Sequence, residues 1–146
     1  MGNTVGRLPS KNGPINLSYI AGFLDGDGSI MLQIHKRGDN GKFRIKTTIC
    51  FYQDKSHKKE IDWIRKVLNC GYTNLRNDGI YELRIEGFAR VFEILTDLKP
   101  YIKFKKKQVK LMLELIPKLR DANEQIEIAG YINKMHTFNY YSSQRT

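Results

Sequence analysis

The segment that most constrains the fold is an apolar run from about Leu17 to Leu24, which ends in an Asp-Gly-Asp-Gly sequence. Gly22 and Gly26 are one helical turn apart, so on a helix they share a face from which no side chain projects. Such a face lets a second helix approach until the backbones touch. Because an interior glycine costs a helix about 1 kcal/mol, close packing against another helix is the expected compensation.

The four residues after the apolar run predict a helix end and a turn into a strand. Gly28 suits the left-handed position just past a helix terminus, and Asp27 then lies at the negative end of the helix dipole. A carboxylate is unfavourable there unless it binds a cation, and hard divalent cations take oxygen ligands. A plain Asp-Gly turn needs no metal, so both interpretations remain open at this point. An EF-hand is excluded, because counting from Asp25 places Ile30 at the glycine position and Lys36 at the glutamate position.

The charge balance indicates a polyanionic partner. The 146 residues include 40% apolar residues, enough for the core of one ordinary domain. They carry 25 Lys and Arg against 15 Asp and Glu, a formal net charge of +10. No apolar run reaches transmembrane length and no signal-peptide core is found, so nucleic acid is favoured over a membrane. Cys50 and Cys70 have no zinc spacing and predict reduced packing residues of an intracellular protein, in an organelle or a prokaryotic cytoplasm.

Two predicted β-hairpins carry a polar face that is rich in basic side chains. From Ser29 the hydrophobic period changes to two, and turn sequences follow at 37–41 and 77–79. The side chains predicted to contact DNA are Gln33, His35, Arg37, Lys42, Arg44, Lys46 and Thr48 in the first hairpin and Asn74, Arg76, Glu82 and Arg84 in the second. The polar face of the first hairpin has no acid, and a two-stranded ribbon fits the DNA major groove. Glutamate can accept from cytosine, although a solvated charge is the more usual role for Glu82 and Glu86.

Helices are predicted around the hairpins. Helical periodicity marks the segments Lys55 to Asn69, Gly87 to Leu98, Val109 to Leu119 and Asp121 to Met135. Phe88 and Phe92 lie on the apolar side of the second of these and are predicted core residues. Five lysines within 103–110 predict a solvated or phosphate-facing segment. Asn16 and Ser18 are both candidate N-caps for the first helix.

The resulting organisation is helix, hairpin, helix, hairpin, helix, followed by C-terminal helices, which is an α+β fold. Residues 17–136 are predicted to form one domain. Residues 1–16, which are rich in Gly and Pro, are predicted to be a flexible arm, and residues 137–146 a tail.

Residues 20–28, Ile-Ala-Gly-Phe-Leu-Asp-Gly-Asp-Gly, closely resemble the nine-residue signature of the LAGLIDADG homing endonucleases. The resemblance implies an αββαββα core whose concave, antiparallel, four-stranded sheet straddles the DNA major groove. The signature occurs once, and family members of that type are homodimers whose signature helices pack at the two-fold axis. The chemistry agrees independently, because one Asp supplies too few ligands for a strong divalent site, whereas two at a dyad can hold metal beside two phosphates.

The resemblance also assigns residues to the site. Asp27 would coordinate Mg²⁺ together with the carbonyl of Gly26, Gln53 would order water at the end of the second strand, and Lys105 matches the family's active-site lysine. The neighbouring lysines of 103–107 leave that last assignment open by one or two positions. Mn²⁺ is expected to substitute for Mg²⁺, and Ca²⁺ to bind without supporting cleavage. The residues predicted for the dimer interface are Ala21, Gly22, Leu24 and Asp25, the last with a structural role.

The function implied is a Mg²⁺-dependent, site-specific endonuclease that cuts double-stranded DNA across the minor groove of a long, nearly palindromic target and leaves short 3′ overhangs. No small-molecule substrate is expected. Two alternatives share the scaffold: a maturase that binds intron RNA, and a DNA-binding protein without cleavage. The presence of both Asp27 and Lys105 disfavours the non-cleaving protein.

Overall fold

The computed structural model of the chain describes residues 13–36, 43–119, 133–137 and 139. The helices and strands are, in order, α1 (Gly13–Asp27), β1 (Gly28–Lys36), β2 (Phe43–Asp54), α2 (Lys58–Leu68), β3 (Tyr72–Leu75), β4 (Ile80–Glu86), α3 (Phe88–Leu98) and α4 (Lys106–Lys118). Short 3-10 helices lie at Lys55–His57 and Lys99–Tyr101. The predicted α+β order is confirmed: an αββαββα core with α4 added. No helix among the described residues is long and apolar enough to cross a membrane.

The four strands form one antiparallel sheet in the order β1-β2-β4-β3. Alternation along the strands places one set of side chains against the helices, and these are the residues that the period-two pattern marks as apolar. The buried members of this set are Ile30, Leu32, Ile49, Phe51, Leu83 and Ile85. They belong to one hydrophobic core that also includes side chains from all four helices. These four helices therefore cover one face of the sheet, and none of them covers the other face.

The first helix begins earlier than the candidate caps suggest. α1 starts at Gly13, which has a φ of +61°, and Pro14 follows in the first turn. Asn16 and Ser18 therefore lie inside the helix, and the Ser18 hydroxyl donates to the carbonyl of Ile15 at 3.0 Å. Neither is the N-cap. The last four residues of the predicted arm are helical, and residues 1–12 lie outside the described part.

Gly28 does not have the left-handed conformation expected of it. It opens β1 and pairs with Phe51, and its φ is not among the positive values of the described glycines. The requirement for glycine is steric instead, because a Cβ atom at this position would lie 2.6 Å from Leu24 Cδ1 and 3.0 Å from the carbonyl oxygen of Cys50. Gly28 therefore allows α1 to run directly into the sheet against the neighbouring strand.

The other helices agree with the sequence pattern, with shifted ends. The predicted helix from Lys55 begins as a 3-10 turn. Asn69 is the C-cap of α2 and adopts the left-handed conformation, with a φ of 57°. Phe88 and Phe92 are only half-buried, since α3 turns other residues inward. The buried side chains of α3 are Val91, Ile94, Leu95 and Leu98. α4 begins three residues before the predicted Val109.

The C-terminal region is described only in part. Residues 121–132 of the predicted final helix lie outside the described residues, whereas residues 133–137 are helical, with Met135 fully buried. Asn139 donates from Nδ2 to the carbonyl of Ile30 at 3.1 Å. This contact fastens the described end of the chain to β1, the strand at one edge of the sheet.

Candidate active site and nucleic-acid interface

Asp25 joins the end of α1 to the loop that precedes α4. Its buried carboxylate accepts hydrogen bonds from the backbone N–H groups of Lys103, Phe104 and Lys105 at 2.5, 3.1 and 3.0 Å. Hydrogen bonds to an ionised carboxylate are roughly twice as strong as neutral ones. The contacts support a structural role for Asp25, because they fix the position of a loop that is 78 to 80 residues away in sequence.

Lys105 is the lysine of this loop that turns inward. It is 8% exposed, whereas Lys103, Lys106 and Lys107 are exposed. Its Nζ donates to the main-chain oxygen of Asp25 at 2.9 Å. Burial lowers the pKa of Lys105, and the negative charges of Asp25 and Asp27 oppose that shift. Because Asp25 anchors the loop from inside, the solvated alternative does not hold for Lys105, and the phosphate-facing alternative stays a prediction.

Asp27 ends α1 as an exposed carboxylate beside Gln53. Gln53 Nε2 donates to Asp27 Oδ2 at 2.9 Å. Gln53 lies near the end of β2 on the same parity as the core residues Ile49 and Phe51, where it pairs with Tyr81. The structure thus brings Asp27 and Gln53 together, with Lys105 close enough for the charge of Asp27 to influence its pKa.

The oxygen donors at the end of α1 fit a metal site that is completed by ligands from another molecule better than a site that is complete within this chain. The Asp27 carboxylate and the Gly26 carbonyl are oxygen donors of the kind that Mg²⁺ prefers. Only one carboxylate oxygen of Asp27, Oδ2, is engaged by a described residue. Among the residues that the structure describes, no group of three or more His, Cys, Asp or Glu could hold a metal ion. The described residues therefore fit a hard divalent cation only if further oxygen ligands come from elsewhere.

The two sides of α1 differ in what they contact. Successive residues are about 100° apart around a helix, so Ala21, Leu24 and Asp25 lie on one side and Gly22 on the other. Ala21 and Leu24 are fully buried and Asp25 is 7% exposed within the chain itself. Three of the four residues predicted for the dimer interface therefore pack against this chain's own core and expose little surface to a second copy. Gly22 remains a candidate.

The exposed side of α1 carries two large apolar side chains, followed by two glycines. Ile15 and Tyr19 are 81% and 64% exposed. Gly22 and Gly26 continue the same row, and a Cβ atom on either would meet nothing within 4 Å. The spacing of four, three and four residues keeps all of them on one face. At the end of this helix the side chain of Phe104 is 84% exposed.

The face of the sheet opposite the helices collects most of the residues predicted to contact DNA. Strand pairing sets Gln33 opposite Lys46, Asn74 opposite Glu82, and Cys50 opposite Arg84. By register and parity this face includes positions 33, 35, 44, 46, 48, 74, 82 and 84. Arg76 follows β3 and pairs with Asp78 at 2.8 Å. Arg37 and Lys42 lie outside the described residues.

Two predicted DNA contacts on this face are buried. Thr48 is fully buried between Met31 and Glu86, its partners on the neighbouring strands, and no described residue bonds its hydroxyl. Thr48 therefore has no exposed surface of its own with which to contact DNA directly. Glu82 is 6% exposed, so the expectation of a solvated glutamate is wrong.

Acids in β4 alter the charge of the face. Glu86 Oε2 lies 2.6 Å from Lys46 Nζ, and Glu86 Oε1 accepts from the Tyr72 hydroxyl at 3.0 Å. Burial raises the pKa of Glu86, but the bonds from Lys46 and Tyr72 outweigh burial and lower it overall. Tyr72 and Cys50 follow the polar parity of the strands and lie on this face, but neither is among the residues predicted to contact DNA.

A family model described as LAGLIDADG endonuclease matches residues 20–113. The chain belongs to the LAGLIDADG endonuclease family. This LAGLIDADG chain is 32% identical to DNA endonuclease I-CvuI of Chlorella vulgaris over 111 residues, which are 75% of this chain and 69% of I-CvuI. It is 28% identical to DNA endonuclease I-CreI of Chlamydomonas reinhardtii over 136 residues, 89% of this chain and 82% of I-CreI.

The fold of the LAGLIDADG chain is also similar to solved structures. The crystal structure of I-CvuI in complex with the I-CreI target in the presence of Mg, in which the DNA is not cleaved, matches with a TM-score of 0.80 and 30% identity, covering 85% of this chain and 82% of I-CvuI. I-CvuI in complex with its own target in the presence of Ca gives the same TM-score. These relatives bind DNA with divalent metal present.

Proposed function

We propose that this chain is one subunit of a homodimeric, site-specific endonuclease that cuts double-stranded DNA. The observation that carries the proposal is the exposed Asp27 carboxylate at the end of a helix whose outer side is apolar and lined by Gly22 and Gly26. Family membership and the DNA complexes of I-CvuI support it.

The second copy packs on the exposed side of α1. Ile15 and Tyr19 bury apolar area there, and the two glycines let the paired helices approach closely. A two-fold interface uses the same patch on both subunits, so each α1 delivers its own Asp27 to the axis. Two incomplete sets of oxygen ligands then lie close together.

The face of the sheet without helices binds the major groove. Gln33, Lys46, Asn74 and Arg84 have side chains that read base edges or phosphates, and a formal net charge of +10 favours the approach of DNA. A dimer doubles this surface, which fits a long and nearly palindromic target. With about 6–10 phosphate contacts, affinity should fall roughly 10³- to 10⁵-fold between 50 and 200 mM salt.

The active site forms where the two chains and the minor groove meet. Asp27 and the Gly26 carbonyl would hold Mg²⁺ there. Bound Mg²⁺ supplies charge stabilisation at the scissile phosphate and acidifies water. Gln53 holds the Asp27 carboxylate through Nε2 and leaves its amide oxygen to orient water. Lys105, fixed by the main chain of Asp25, places a cation beside the developing negative charge. Cutting both strands across the minor groove leaves short 3′ overhangs.

Cleavage of a candidate target, prepared from the DNA that flanks this reading frame with the intervening sequence removed, tests the proposal. The full-length dimer should cut this DNA with Mg²⁺ or Mn²⁺, bind without cutting in Ca²⁺, and do nothing to the phosphodiester bonds in a chelator. Tight binding with no cutting in any metal would identify a non-cleaving DNA-binding protein. Splicing stimulation of the matching intron RNA, without DNA cleavage, would identify a maturase.

A further inference from the structure

Glu82 is a buried carboxylate at the centre of the proposed DNA-binding face. It is 6% exposed, yet it projects from the side of the sheet away from the helices. Its Oε1 accepts from Asn74 Nδ2 at 3.4 Å, and its Oε2 accepts from Cys50 Sγ at 3.6 Å. Arg84 Nη1 lies 3.8 Å from Oε2. Both oxygens are thus engaged within the chain, so Glu82 is poorly placed to accept a hydrogen bond from DNA itself.

Glu82 and Glu86 hold Arg84 between them. Arg84 Nη1 faces Glu82, and Arg84 Nε lies 3.6 Å from Glu86 Oε2. The side chain of Arg84 is 24% exposed, and no described residue pairs with its Nη2. Arg84 is thus engaged through Nη1 and Nε, and its Nη2 can still donate to an acceptor outside the chain. Because two carboxylates already neutralise it, Arg84 is better suited to the neutral edge of a guanine than to a phosphate.

Glu82 also determines which way the Asn74 amide points. Asparagine nitrogen and oxygen are interchangeable in shape, and the surroundings decide between the two orientations. In the observed orientation Asn74 Nδ2 lies 3.4 Å from a carboxylate oxygen of Glu82. The reverse orientation would put Asn74 Oδ1 in that place, and the two oxygens would repel each other. The Asn74 side chain is exposed, so its Oδ1 and second amide proton are available to DNA. That pair of groups matches N6 and N7 of adenine.

We propose that Glu82 is a specificity-determining positioning residue that orients Asn74 to read adenine and Arg84 to read guanine in each half-site. The inference rests on the proposed DNA-binding function. Tyr72 pairs with Arg84 and Asn74 pairs with Glu82, so the two readers are diagonal neighbours on β3 and β4. Diagonal neighbours are about 7–8 Å apart. At 3.4 Å per base pair, the bases that they read lie within about two base pairs of each other.

The test is selection of bound DNA from a library of randomised half-sites, in Ca²⁺, with the full-length dimer. The wild type should enrich adenine and guanine at two positions within about two base pairs. Glu82→Gln keeps the size of the side chain but removes the charge, and its amide tolerates either orientation of Asn74. We expect the preference at those two positions to fall by about 5- to 150-fold, with other positions unchanged, which corresponds to 1–3 kcal/mol per bidentate contact.

Matched variants separate positioning from general damage. Glu114→Gln makes the same chemical change at an exposed position of α4 and should leave every preference intact. Glu82→Asp, which keeps the charge, should restore part of the discrimination. If Glu82→Gln loses preference evenly across the half-site, or loses none, the inference is wrong.

Two further outcomes of the selection experiment need their own interpretation. Should Glu82→Gln not fold, Asn74→Ala decides, because loss of adenine preference at one position supports the inference and an unchanged profile overturns it. If the wild type enriches no sequence at all, the proposed function fails and the inference fails with it.

Discussion

The two sides of α1 are built from similar residues and behave differently. On the inner side Ala21 and Leu24 are fully buried, and the Asp25 carboxylate accepts three backbone N–H groups. On the outer side Gly22 has open space around it, and Asp27 at the helix end has a single described hydrogen bond, from Gln53. Two aspartates only two positions apart therefore have opposite surroundings.

The difference distinguishes a carboxylate that stabilises the fold from one that is available for binding or catalysis. Asp25 has its hydrogen-bonding capacity satisfied by the fold, so its contribution is stability and the placement of Lys105. Asp27 keeps unused hydrogen-bonding capacity at the negative end of a helix, where a negative charge is unfavourable, and its charge acts on the pKa of the nearby Lys105. Substitutions on the two sides of α1 should therefore affect different measurements.

The largest expected effect is that of Asp27→Asn. The amide keeps an oxygen to accept from Gln53 but loses the charge that binds metal, so cleavage should fall at least about 10³-fold, since several kcal/mol of charge stabilisation are lost. Binding of the target in Ca²⁺-free buffer and the unfolding midpoint should change little. Single-turnover cleavage assays measure the first, and Glu114→Gln serves as the control. Cutting at the wild-type rate by Asp27→Asn would show that the catalytic assignment is wrong.

Gly22→Leu should break the proposed dimer without unfolding the chain. A Cβ atom at Gly22 meets nothing within 4 Å, and replacing an interior helical glycine favours the helix. Dimerisation should weaken at least roughly 30-fold, the effect of losing about 2 kcal/mol at an interface. Sedimentation equilibrium gives the dissociation constant, and cleavage should fall in parallel.

Ala21→Leu is the matched comparison for Gly22→Leu. The two residues are neighbours in sequence but face opposite sides, and Ala21 is fully buried. Overpacking the core there should cost about 1–3 kcal/mol of unfolding free energy. Equal loss of stability in both variants, or an unchanged dimer in Gly22→Leu, would contradict the division of α1 into two sides.

Asp25→Asn should lower stability by about 1–3 kcal/mol, because one oxygen and the charge are removed from a set of buried N–H donors. Chemical denaturation measures the loss. Cleavage should also fall at temperatures where the protein remains folded, because Lys105 is no longer held by an ordered loop. A variant with wild-type stability would show that the three bonds to Asp25 contribute little.

The last prediction concerns the Cys50 thiol, which donates to the other buried carboxylate, Glu82. Burial first, and then the charge of Glu82, raise the pKa of the Cys50 thiol from 9.0 to about 12. At neutral pH the thiolate population is then roughly 10³-fold lower than for an ordinary thiol, so alkylation should be correspondingly slow in the native protein. Mass spectrometry after timed alkylation measures this.

The same shift predicts the direction of a pH effect. Above pH 9 the unfolded thiol loses its proton while the folded thiol keeps it, so the folded state binds more protons and stability falls as pH rises towards 12. Cys50→Ser should show a smaller decline in that range. Rapid alkylation of native Cys50 would show that the thiol is not buried beside Glu82.

Much of the fold could be predicted because it depends on local periodicity. The change from helical spacing to alternation at Ser29, the turns between strands and the apolar residues of α2 each follow from neighbours within a few positions. The signature at residues 20–28 indicated the family, and the single acid that it places at the helix end indicated an incomplete site. The strands pair within the two predicted hairpins with the parity that these patterns imply.

Tertiary structure alone decided which groups are covered. An apolar helix with glycines does not reveal which side meets its own core, so the predicted dimer interface includes Ala21 and Leu24, which that core buries. Lys105 could not be distinguished from its neighbours until Asp25, 80 residues earlier, fixed the loop around it. Glu82 looked like a solvated charge because its partners lie on two other strands. Burial and hydrogen bonding between distant segments depend on how the elements pack, and spacing along one segment does not determine that.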